Sequence, residues 1–172
     1  MKTSKEIALI GVFVALLIGG QFVLSALQGI EIVTLLITTF CFYFGVKRGV
    51  IVATTFSLIR CFLFGFYANV ITLYLLYYNL IAIIFGSLGK VFNKTVTLKS
   101  LVVLTLTAVL STAVFFLFDG VITALFYSFT IGALKVYLTA SIPALITQLI
   151  CVTASCGALF IPIVSLYKTI KI

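Results

Sequence analysis

Uncharged runs long enough to cross a bilayer follow one another along almost the whole of this chain. From Ile7 to Leu27, from Cys61 to Gly89 and from Val136 to Tyr167 there is no Asp, Glu, Lys or Arg. A helix needs about 20 consecutive apolar residues to span the hydrocarbon of a membrane. Only 8% of the 172 residues are charged, and 64% are hydrophobic. A soluble domain carries about a quarter charged residues, and one of this size could not bury so much apolar surface. The chain is therefore read as an integral membrane protein: an all-α, compact bundle of about six transmembrane helices in a single domain, 1–172. Nothing in it leaves room for a soluble catalytic module beside the spans.

The apolar runs divide into helices expected near 6–27, 31–46, 49–66, 71–91, 100–118 or longer, and 135–167. Lys2 and Lys5 ahead of the first run resemble the start of a signal peptide. The run continues to Leu27 without a small-residue cleavage site and a polar mature chain behind it, so a retained first helix is expected. Between Leu101 and Thr130 the apolar stretch exceeds one untilted span, and Asp119-Gly120 interrupts it. Two layouts fit: a long fifth helix carrying Asp119 within it, or a helix ending near Phe118 with a short half-helix after it. Cys41, Cys61, Cys151 and Cys156 all lie in apolar stretches and match no metal-ligand spacing, with no histidine to complete one. They read as small core residues, and neither a metal nor a cofactor is expected.

Nine of the eleven basic residues fall on one side of a six-span layout: Lys2, Lys5, Lys47, Arg48, Lys90, Lys94, Lys99, Lys168 and Lys171. By the positive-inside rule that side is the cytoplasm, with both termini there. The net charge of +8 then reflects topology and contact with anionic membrane lipid, and a nucleic-acid partner is not expected. Four charges remain outside this rule: Arg60, Lys135, Glu31 and Asp119. Arg60 lies twelve residues past Arg48, about 18 Å along a helix, which carries it beyond the midplane. Glu31 opens the second helix and Lys135 the sixth at the same outer face, and Asp119 lies in the outer half under either layout. A charge in hydrocarbon is costly unless it faces a partner or a wet cavity. The four suggest a polar pocket open to the outside, against the simpler alternative that Arg60 pairs with Asp119 or Glu31 to hold helices together.

Tyr67, Tyr74, Tyr77 and Tyr78, with Asn79, cluster in the outer part of the fourth helix. Part of this is an interfacial belt. Tyr74 and Tyr78 also share one helical face and offer flat rings with hydroxyls, which suit a heteroaromatic ligand. Gln21, Thr147 and Gln148 are further polar groups that need partners inside the bundle. Candidate substrate-binding residues are thus Glu31, Arg60, Tyr74, Tyr78, Asn79, Asp119, Lys135 and Gln148. In the first helix Gly11, Ala15 and Gly19 recur every four residues, with Ala8 on a neighbouring face. Small residues at that spacing let another helix approach closely, either within the chain or from a partner.

With the span layout, the helix 1 sequence ALIGVFVALLIGG, the segment GIEIVTLLITTFCFYFGVKRG and the final ASIPALITQLICVTASCGALFIPIVSLYK in view, the chain resembles the substrate-binding S components of energy-coupling factor (ECF) transporters. The resemblance implies a prokaryotic plasma-membrane protein that captures a vitamin or related micronutrient from outside. It implies docking on a membrane-embedded coupling subunit through Ala8, Gly11, Ala15 and Gly19, with two cytoplasmic ATPases driving uptake. The chain has no Walker motif and no glycine-rich phosphate loop of its own, so it is not expected to be an enzyme. Alternatives from other classes are a self-contained small permease or structural membrane subunit, and an intramembrane lipid-modifying enzyme using Asp119 and Glu31 as acid and base.

Overall fold

The computed structural model describes residues 4–27, 30 and 32–169. Among them the structure is all helix: α1 (Ser4–Leu24), α2 (Val33–Phe44), α3 (Val46–Phe64), α4 (Ala68–Val91), α5 (Leu98–Phe126) and α6 (Ile131–Tyr167). Helices α1, α4, α5 and α6 are each long and apolar enough to cross a membrane. Helix α3 has comparable length, 19 residues, but carries Lys47, Arg48 and Arg60.

Helix α2 is the axis of the bundle. It has only 12 residues, about 18 Å, and every one is buried except Tyr43, which is half-buried. It packs on α1, α3, α4 and α6. A helix apolar on every side belongs in an interior. Thr38 and Thr39 fit there because their hydroxyls turn back onto the helix: Thr38 Oγ1 donates to the Thr34 carbonyl at 2.7 Å and Thr39 Oγ1 to that of Leu35 at 2.8 Å.

One residue separates α2 from α3. Gly45, at φ +87°, takes a backbone conformation that a side chain would oppose, and the chain reverses around it. Lys47 and Arg48 therefore lie in the first turn of α3 and not in a loop. Helix α4 crosses this corner at very short range. A Cβ on Gly86 would lie 2.6 Å from the backbone nitrogen of Val46, and one on Gly89 would run into the carbonyl oxygen of Phe42. Small residues that admit backbone contact are how helices associate where burial gives little drive.

Helices α5 and α6 form a hairpin against α4 and α2. Of the two layouts open for this stretch, the long one is found: α5 runs through Asp119 and Gly120 to Phe126. Gly120 does not break the helix because it is buried against Leu138 of α6, so it serves packing. Helix α6 begins at Ile131, four residues before the expected start at Lys135, because the Thr130 hydroxyl caps it by accepting from the Ala133 amide. At 37 residues it extends about 55 Å, well beyond the roughly 30 Å of hydrocarbon.

Helix α1 is peripheral. Ile10, Phe13, Val14 and Leu17 face the core, and the rest of the helix is largely exposed. Ala8, Gly11, Ala15 and Gly19 are all on that exposed side.

Candidate functional site

Contacts at the helix ends show that helices successive in the chain alternate in direction. Glu6 of α1 meets Arg48 of α3, so the starts of these two helices lie together. Tyr167 at the end of α6 contacts Phe13, Phe40, Tyr43 and Phe44, and Lys94 beyond α4 sits over the Tyr43 ring. This end therefore gathers Lys5, Lys47, Arg48, Lys90, Lys94, Lys99 and Lys168. A cavity of about 410 Å³ opens among Glu6, Phe44, Arg48 and Lys90. Only Arg60 and Lys135, of the described cations, belong to the opposite end.

Arg60 anchors a cluster at that opposite end, where α1 and α3 finish and α4 starts. Its Nε donates to Gln21 Oε1 at 3.0 Å, and Gln21 Nε2 donates in turn to the Tyr74 hydroxyl at 3.2 Å. The guanidinium carbon lies 4.2 Å from the centroid of the Tyr74 ring and 4.7 Å from that of Phe64. Both are within range for a cation on an aromatic face. Tyr74 continues into an aromatic group, with Tyr78 at 5.1 Å and Phe115 at 6.1 Å between centroids. Tyr77 packs on Phe115 at 4.5 Å. Tyr77 and Tyr78 are buried, so they belong to the core and not to an interfacial belt, whereas Tyr67 is exposed at the start of α4.

A second polar group ties α4, α5 and α6 at the same end. The Tyr137 hydroxyl donates to Asp119 Oδ2 at 2.6 Å, and Asn69 Nδ2 donates to Thr123 Oγ1 at 3.4 Å. Asp119 is thus engaged by a tyrosine and not by Arg60. Among the described residues the one ion pair is Glu6 with Arg48, so the alternative in which Arg60 holds Asp119 does not describe this bundle.

The sequence-derived candidates accordingly separate. Arg60, Tyr74 and Tyr78 come together. Asn79 bridges α3 and α4, accepting from Thr54 Oγ1 at 3.2 Å while donating to the Leu75 carbonyl at 2.8 Å. Asp119 belongs to the second group. Lys135 is exposed on the first turns of α6, Gln148 is half-buried further along it, and no described contact joins either to Arg60. Glu31 lies outside the described residues. Gln21, noted only as a polar group in need of a partner, proves to be the direct partner of Arg60. Phe64 was not singled out, although its position four residues after Arg60 puts both on one helical face. Tyr137 carried no signal, being one tyrosine in an apolar run.

The small residues of α1 present a different kind of feature. A Cβ added to Gly11 or Gly19 would meet nothing within 4 Å, in contrast to Gly86 and Gly89. Among the described residues, no helix packs against that face at these glycines.

In comparisons with known proteins, no protein-family model, no curated protein and no solved structure matches the chain.

Proposed function

We propose that this chain is the membrane-embedded substrate-binding component of an ECF-type importer. It crosses the membrane six times with both termini in the cytoplasm. It captures a vitamin-like micronutrient from outside and passes it inward together with a membrane-embedded coupling subunit and two cytoplasmic ATPases. The basic end of the bundle is the cytoplasmic one on the positive-inside rule, which turns the Arg60 cluster toward the outside.

The observation that carries this reading is the unused face of α1. Ala8, Gly11, Ala15 and Gly19 are exposed, and the glycines have open space where a side chain would be. Inside the bundle such residues earn their place by close helix contact. Here they offer the same smooth surface outward, as a second membrane protein would require. With no histidine and no phosphate-binding loop in the chain, the energy for uptake comes from that partner.

The test is purification of the tagged chain from its native membrane. The wild type is expected to bring down a membrane subunit together with two ATPases, and Ala15→Trp is expected to lose them while keeping its own thermal unfolding profile. A variant that folds normally and still recovers the full complex would mean that α1 is not the docking face.

A further inference from the structure

The charge balance around Arg60 leaves one position open. Its Nε is satisfied by the neutral side chain of Gln21, and its charge is flanked by two aromatic rings. Among the described residues, neither of its two terminal nitrogens has an acceptor, and no carboxylate lies within ion-pair distance. Asp119 is taken up by Tyr137, and Glu6 by Arg48 at the far end of the bundle. A half-buried guanidinium in an apolar wall is stable when its donors are met. Rings contribute to that but cannot accept four in-plane N–H bonds.

We propose that the molecule captured at this end is an organic oxyanion, bound through a carboxylate or phosphate by the two terminal nitrogens of Arg60. The guanidinium edge matches two oxygens of either group with paired hydrogen bonds. Gln21 holds the Nε edge and orients the fork, and the Tyr74 ring, on which Tyr78 and Phe115 pack, supplies an apolar wall for the body of the ligand. The anion takes the role that a carboxylate of the chain would have in a purely structural pair. This inference rests on reading the Arg60 cluster as the substrate site, and it narrows the substrate to molecules that bring their own negative charge.

Three probes of one shape separate the possibilities: benzoate, phenyl phosphate and the neutral amide benzamide. Each is titrated against the purified protein, with binding followed by thermal unfolding and calorimetry. One of the two anions is expected to bind at least about tenfold more tightly than benzamide, since hydrogen bonds to charged groups are the stronger ones. Which anion it is distinguishes a carboxylate ligand from a phosphate ligand. The preference should vanish in Arg60→Gln. Equal affinities for acid and amide in the wild type, as a carboxylate of the chain on Arg60 would produce, overturn the inference. So does absence of binding by all three, or a preference that survives Arg60→Gln. The wild-type comparison needs no variant and stays decisive if Arg60→Gln does not fold. Co-purification of the coupling subunit and ATPases is read separately, so failure here does not count against the docking face of α1.

Discussion

The two ends of the bundle hold an arginine each, in opposite circumstances. Arg48, at the basic end, has a carboxylate: Glu6 Oε1 accepts from its Nε at 3.0 Å and also from a terminal nitrogen. Beside it α4 crosses the α2–α3 corner with backbone against backbone at Gly86 and Gly89. Arg60, at the other end, has an amide and two rings, and the helices around it meet through side chains. At one end the helices pack backbone on backbone, and the arginine is paired by the chain itself. The other keeps a cation in an apolar wall with donors to spare. The difference separates where this fold is held together from where, among the described residues, a guanidinium keeps donors that the chain does not meet.

That contrast can be broken by overfilling the end where backbones meet. Gly89→Val is expected to have the largest effect of all, because its first added carbon already meets the Phe42 carbonyl, a backbone atom that cannot swing away. Overpacking of this kind costs about 3 kcal/mol or more where backbone must shift. Denaturation in detergent should show a large loss of stability. A Gly89→Val protein as stable as the wild type would mean that the ends are not distinguished by packing.

A smaller loss is expected at the open end from Tyr137→Phe. It removes the hydroxyl that donates to Asp119 and leaves a half-buried carboxylate without that bond, which costs about 1–3 kcal/mol. Asp119→Asn in the same background should recover part of it, because a neutral amide is less costly to leave undersatisfied. No recovery would show that the hydroxyl acts through a partner other than the Asp119 carboxylate.

The smallest effect sharpens the comparison between the arginines. Arg48→Gln breaks the only ion pair among the described residues, but Glu6, although only 14% exposed, lines the cavity at this end, from which water can take over its carboxylate. About 1 kcal/mol or less is expected, with no change in the affinity of the oxyanion probes. A loss of probe binding in Arg48→Gln would place the anion at the basic cavity, with Glu6, Lys47 and Lys90, and not at Arg60.

Much of this was legible beforehand, for a reason visible in particular residues. The apolar runs announce themselves residue by residue, as does a lone arginine ten residues and more from any other charge. The α1 spacing of Gly11, Ala15 and Gly19 could be read as a contact face, but not whether that face turned inward or outward. The partners were not legible. Nothing in the sequence joined Glu6 to Arg48 or Tyr137 to Asp119, since the residues are 42 and 18 positions apart and meet only when their helices pack.

The sequence by itself determined that the chain is an apolar helical bundle, how many helices it makes, and which few charges stand apart from the basic set. Only the tertiary structure decided that the short helix α2 is the axis, that Gly86 and Gly89 are contact points while Gly11 and Gly19 are bare, and that Asp119 belongs to Tyr137. The physical reason lies in the solvent. In water, hydrophobicity separates core from surface, and a pattern of polar and apolar residues reveals which face turns inward. In a membrane the lipid tails are as apolar as the core. A leucine facing lipid and one facing α2 therefore look alike in sequence, and close packing between helices, together with a few hydrogen bonds, makes the choice.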